Sequence, residues 1–165
     1  MLQIGAKSKE KIVEELLLSN YDRYYRLAYS YVHNDADAAD IVQNGAYKAI
    51  KNSAKLQNRE YASTWLYRIM LNEIFRFCGQ KKTEPLPAEE QEAQTEDRYE
   101  DIDLKRALEE LSDEDRMIVE LKYFEDMKLE EIAEILDKNT NTVKSRLYRS
   151  IQKLRIRLEE EWVFS

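Results

Sequence analysis

The chain has 165 residues, 36% of them charged and 43% hydrophobic, with a formal net charge of -7 and only three glycines and two prolines. No apolar run approaches the ~20 residues of a bilayer span, and the N-terminus lacks the apolar core of an export signal. One cysteine, Cys78, and one histidine, His33, exclude an internal disulfide and argue against a metal site built on His and Cys. What remains is an all-α protein of one ordinary domain or two small ones, suited to a reducing cytoplasm.

The charge is unevenly spread. Residues 1–82 hold 13 Lys+Arg and 9 Asp+Glu (+4), residues 83–103 hold 1 and 9 (-8), and residues 104–165 hold 12 and 15 (-3). The middle strip carries both prolines and few apolar groups. Such a strip buries too little to offset its ordering entropy, so a flexible acidic linker is expected between two small helical domains.

In the first domain, Ile12, Leu16 and Leu17 open an amphipathic helix, and Tyr24, Leu27, Ala28 and Tyr31 mark a second. His33-Asn34-Asp35 interrupts the pattern. A third helix follows, with Asp35 or Asp37 as its expected cap and Ile41, Val42, Ala46, Ala49 and Ile50 on one face. Residues 52–59 read as a polar loop. A fourth helix places Tyr61, Trp65, Ile69 and Asn72 on one stripe and is expected to end near Gly79. On periodicity alone, Trp65 reads as core.

In the second domain, residues 104–111 form one helix. Ser112, with Asp115 three residues on, opens the next, which runs to Phe124. Leu129, Ile132, Ala133 and Leu136 mark a short helix, and 137–139 a turn. Val143, Leu147, Ile151, Leu154 and Leu158 form the apolar face of the last helix. The C-terminal Trp162 and Phe164 either pack back on this domain or face a partner.

The pair over 129–158 has the spacing of a helix-turn-helix, with Asn139 or Thr140 to cap the second helix. Between Lys138 and Leu158 every charge is positive: Lys138, Lys144, Arg146, Arg149, Lys153, Arg155 and Arg157. Arg146, Arg149, Lys153 and Arg157 recur at spacings of 3, 4 and 4, an outward stripe suited to DNA phosphates. Thr140, Asn141, Thr142, Lys144 and Ser145 occupy the first turns, where a recognition helix reaches base edges. The plain alternative is a solvated basic helix; the absence of any acid in the stretch favours DNA.

TVKSRLYRSIQKLR, preceded by LEEIAEILDKN, resembles region 4 of a bacterial sigma-70-type sigma factor. DAADIVQNGAYKAI resembles the region 2 segment that docks on the polymerase clamp. STWLYRIMLNEIFRFCGQKK resembles the promoter-melting helix that follows it. Two helical domains and a short linker resemble the compact extracytoplasmic-function (ECF) subgroup.

The resemblance implies roles. Asp40, Gln43 and Asn44 would meet core RNA polymerase. Trp65, Arg68, Asn72 and Arg76, extended by Lys81 and Lys82, would hold the single-stranded -10 element, with Asn58 in the preceding loop as a partner for a flipped base. Lys138 through Ser145, with Arg146, Arg149 and Lys153, would read the duplex -35 element. The family usually has an acid where Asn44 stands, a larger apolar residue near Gly45 and a Gly where Asp137 stands. Implied partners are core polymerase (clamp and flap), promoter DNA and an anti-sigma factor. No catalytic residue, cofactor or metal is implied, and no phosphate loop or nucleophile–base set is visible. Two competing readings are a stand-alone helix-turn-helix regulator, which would bind duplex DNA unaided, and a helical adaptor that binds only proteins.

Overall fold

A computed structural model describes the backbone of residues 8–81 and 99–164 and the side chains of 8–80 and 103–159. The chain divides into two units, Met1–Leu86 and Pro87–Ser165. All described regular structure is helical: α1 (Lys9–Val32), α2 (Asp35–Lys51), α3 (Ala62–Lys81), α4 (Tyr99–Glu109), α5 (Asp113–Tyr123), α6 (Leu129–Leu136) and α7 (Thr140–Phe164).

The two helices expected before residue 33 are one. Ser8 caps α1, its hydroxyl accepting from the Lys11 N–H at 3.2 Å. The polar Ser19-Asn20 pair does not break the helix, because both side chains bond back to it: Ser19 Oγ donates to the Glu15 carbonyl (2.8 Å) and Asn20 Nδ2 to that of Leu16 (3.1 Å). Val13, Leu17, Tyr24, Leu27 and Ala28 thus form one buried stripe. His33 ends the helix in left-handed conformation (φ 52°), its N–H reaching the Tyr29 carbonyl at 2.8 Å. Across the junction, the Tyr25 hydroxyl donates to Asp35, and this bond is the leading cause of a Tyr25 pKa pushed up to about 12.

The cap of α2 is Asn34, whose Oδ1 accepts from the Asp37 N–H at 3.0 Å. Asp35 and Asp37 instead occupy the first turn, where carboxylates favour the positive helix end. The expected loop over 52–59 contains two short 3-10 turns, Ser53–Lys55 and Arg59–Tyr61, either side of a fully buried Leu56. A single apolar residue in a polar run hid this plug.

Helix α3 buries Ala62, Leu66, Tyr67, Met70, Leu71 and Ile74. It continues past Gly79, where a Cβ would meet nothing within 4 Å, to Lys81. The three helices of this unit pack on one another around the Tyr24 and Tyr67 rings, edge to face with centroids 5.1 Å apart.

In the second unit, α4 begins at Tyr99, inside the stretch expected to be linker. The buried Ala107 and Leu108 anchor this helix, which starts five residues before the expected 104. Ser112 caps α5, accepting from the Asp115 N–H at 3.2 Å. Arg116 and Glu120 form a buried i,i+4 pair at 3.1 Å within α5. Helix α6 ends at Asp137, left-handed at φ 54°, with the Lys138 N–H on the Ala133 carbonyl at 2.9 Å. Asp therefore serves at a position where Gly is common. Asn139 caps α7, its Oδ1 accepting from the Asn141 N–H at 2.8 Å. Helices α4, α5 and α6 all pack on α7, against Val143, Leu147 and Leu154.

Candidate nucleic-acid interface

Three faces carry the expected contact residues. On α2, the buried Ile41, Val42, Gly45 and Ala49 turn inward, which leaves Asp40, Gln43 and Asn44 exposed together on the opposite face. Tyr47 joins them at 65% exposure, its ring 5.8 Å from Lys51 Nζ. The sequence signal for Tyr47 is its helical phase with Gln43 and Asn44.

On α3, the buried stripe is Ala62, Leu66, Met70 and Ile74. It lies one residue, about 100° of helical phase, away from the expected one. Trp65 is therefore half-buried and flanks the core, contrary to the periodicity-based expectation. In the sequence the bulk of Tyr61 and Trp65 masks the regular recurrence of the smaller apolar residues that are buried. Tyr61 is half-buried too, and the Arg68 guanidinium sits 5.4 Å from its ring centroid. Asn72 and Arg76 are exposed farther along the helix. Asn58 is exposed, but its Oδ1 is engaged by the Glu60 N–H at 3.0 Å. Lys81 is the last residue of α3; Lys82 lies outside the described residues. From beneath, Lys48 of α2 pairs with Glu73 of α3, a carboxylate only 7% exposed.

On α7, Asn139, Asn141, Thr142, Lys144, Ser145, Arg149 and Lys153 are exposed and Thr140 is half-buried. The expected cationic stripe is not uniform. Arg146 Nη1 lies 2.8 Å from Glu114 Oε1, and its Nε lies 3.1 Å from Asp115 Oδ1. Lys138 Nζ lies 3.4 Å from the same Glu114 oxygen. Arg157 Nε meets Glu110 at 3.0 Å. Four acids-facing contacts thus tie three of the basic residues to α5 and to the end of α4, because the stripe sits at the edge of the buried face and not opposite it. Tyr148, 58% exposed with its ring 5.9 Å from Lys144 Nζ, is a further residue on this face that the sequence reading did not single out.

Among the described residues, no group of three or more His, Cys, Asp and Glu is placed to hold a metal, and no helix is long and apolar enough to cross a membrane. A sigma-70 region 2 model matches residues 16–83, and a sigma-70 region 4 model matches residues 101–154. The RNA polymerase sigma factor SigV of Bacillus subtilis is 45% identical over 142 residues, covering 84% of this chain and 86% of SigV.

The chain belongs to the sigma-70 family of RNA polymerase sigma factors.

Its place in that family is the ECF group. The ECF RNA polymerase sigma factor SigW of Bacillus subtilis is 30% identical over 158 residues, covering 84% of each chain. Two solved structures share the fold. CnrH, solved with the cytosolic domain of CnrY, has a TM-score of 0.69 at 18% identity, with 93% of this chain and 99% of that one covered. RpoE of Bartonella quintana, solved with the anti-sigma factor NepR, has a TM-score of 0.67 at 22% identity, with 88% and 96% covered. The function is that of a sigma factor in transcription initiation. The region 2 match over the first unit tells against a stand-alone helix-turn-helix regulator, which has no use for that unit.

Proposed function

We propose that this sigma factor works through the three faces as a non-catalytic specificity subunit in the cytoplasm. The exposed Asp40, Gln43, Asn44 and Tyr47 face of α2 docks on the clamp of core RNA polymerase. The Tyr61, Trp65, Arg68, Asn72 and Arg76 face of α3, with Asn58 and the lysines at 81 and 82, takes the -10 strand. Aromatic rings receive unstacked bases there and guanidinium groups hold phosphates. On α7, Asn139, Thr140, Asn141, Thr142, Ser145 and Tyr148 face -35 base edges in the major groove, while Lys144, Arg149 and Lys153 hold phosphates.

The observation that carries this reading is the flank of α3: half-exposed Tyr61, in the turn before it, and Trp65 share a face with Arg68, beside a fully buried apolar stripe. Aromatic rings beside cations, at the surface of a rigid helix, suit single-stranded nucleic acid.

Run-off transcription with purified core polymerase and a genomic promoter library tests the whole reading. The expected result is a discrete set of promoters sharing -10 and -35 elements. Tight sequence-specific binding to duplex DNA without polymerase, and no transcription, would reject it. An adaptor without DNA contact would leave transcription untouched by Arg146→Ala with Arg149→Ala.

Two further roles belong to this reading. The acidic stretch 83–103 occupies a basic channel of polymerase; Gln in place of its acids is expected to weaken holoenzyme formation or alter initiation. The sigma factor is held inactive by an anti-sigma factor, supported by the presence of such a partner on the related RpoE. Co-purification from the native cell is expected to recover that partner, and repeated recovery of polymerase subunits alone counts against it.

A further inference from the structure

Two acids at the start of α5 hold the segment that reads DNA. Glu114 Oε1 meets Arg146 in the second turn of α7 and Lys138 in the turn before it, at 2.8 and 3.4 Å. Asp115 Oδ1 meets Arg146 from the other side at 3.1 Å. The two cations bracket the base-facing Asn139, Thr140, Asn141, Thr142 and Ser145. The facing oxygens of both acids are sealed from solvent and accept no hydrogen bond, so the contact is charge pairing alone, at lower effective dielectric than an ordinary surface pair. Arg146 is only 27% exposed, whereas Lys144, Arg149 and Lys153 are exposed and pair with no acid among the described residues.

A cation engaged in this way does two things. It fixes the pitch of α7 against α5, and it is withheld from phosphate. We infer that Glu114 and Asp115 are positioning residues that lower the phosphate affinity of the recognition helix while fixing the register in which it reads the -35 element. Arg146, with Lys138 at the exposed rim of the same contact, then serves the α5–α7 pairing, and the phosphate load falls on Lys144, Arg149 and Lys153. A sigma factor delivered by polymerase loses little from weak intrinsic affinity, and it gains discrimination, because sequence-independent phosphate contact rewards every site alike.

This inference rests on the -35 role of α7, and the experiment separates the two. Holoenzyme is bound to a promoter found by run-off selection and to the same promoter with its -35 element scrambled, across a salt series. Each phosphate contact contributes about -0.9 to the slope of log affinity against log salt. Arg149→Gln is expected to make the slope shallower by about one such contact; no change rejects the -35 role of α7 itself. Glu114→Gln, and more so Glu114→Gln with Asp115→Asn, is expected to steepen the slope by about one to two contacts. The preference for the intact -35 element over the scrambled one is expected to fall severalfold. Arg146→Gln is expected to leave the slope unchanged.

A merely structural role for the acids predicts weaker binding to both DNAs with an unaltered slope. That result, or an Arg146→Gln slope as shallow as that of Arg149→Gln, overturns the inference. Should the double variant fail to fold by circular dichroism, Glu114→Gln and Arg146→Gln alone decide the matter.

Discussion

A Cβ built on Gly45 of α2 would lie 2.5 Å from Sδ of Met70 on α3. Gly45 is thus a packing residue whose missing side chain leaves room for the Met70 side chain, at a cost of about 1 kcal/mol in helix propensity relative to Ala. Gly45→Leu is expected to destabilise the protein by about 1–3 kcal/mol, the usual range for overpacking. Met70→Ala, which opens space at the same contact, should relieve part of that loss. A urea-denaturation double-mutant cycle checks this, and additive effects would reject the contact as the cause.

The Lys48–Glu73 pair buries one partner more than the other: 41% exposure for the lysine against 7% for the carboxylate. Lys48→Met strands the buried carboxylate. The full cost of breaking a buried pair is about 3–5 kcal/mol; discounted for the half-exposed lysine, about 1–2 kcal/mol is expected. Lys48→Met with Glu73→Leu should recover most of it, because an apolar pair needs no counter-charge. Thermal melts of the single and double variants distinguish the cases.

Two tyrosines of α1 resist ionisation for different reasons. Tyr25 is pushed up to about 12, first by donating to Asp35. Tyr24 is raised further still, first by burial and then by the neighbouring Tyr67. Both folded values lie above the ordinary 10.0. The stability they contribute is therefore fully present below pH ~10 and is lost as pH rises through the folded values. Alkaline unfolding, followed by far-UV circular dichroism, is expected above the normal tyrosine range. Tyr24→Phe should shift unfolding to higher pH, and no shift would place the cause elsewhere.

Trp65 and Leu66 are adjacent on α3 but half-buried and fully buried respectively. Leu66→Ala is expected to cost about 2–5 kcal/mol of stability. Trp65→Ala should leave most of the fold's stability and weaken capture of the melted -10 strand by about 1–3 kcal/mol, the range for one stacked base. Permanganate footprinting of the open complex, beside thermal melts, reads both. A collapse of stability in Trp65→Ala with normal promoter opening would return Trp65 to the core.

Much of the fold was legible because helices announce themselves by periodicity. The Ser112 cap, the left-handed Asp137 and the apolar face from Val143 to Leu154 all follow from local chemistry that a sequence carries openly. The exposure of the candidate contact residues was legible by face and less so by residue. Asp40, Gln43 and Asn44 fall where the inward positions of α2 leave them. Arg146 does not follow from its own helix, because the acids that claim it stand more than thirty positions earlier, at 114 and 115. Long-range pairing of this kind has no local signature. Ser19-Asn20 was opaque for a different reason: whether a polar pair ends a helix or bonds back along it depends on rotamers, not composition.

The continuity of α1 turns its central segment into a ruler. Leu17 and Tyr24 are buried on one stripe seven residues apart, close to two full turns at 3.6 residues each. One residue inserted between them would rotate everything beyond by about 100°, carrying Leu27 and Ala28 out of the core and His33 away from the start of α2. Insertions of three or four residues would nearly restore the phase. The spacing between Leu17 and Tyr24 should therefore tolerate changes of residue type far better than changes of length.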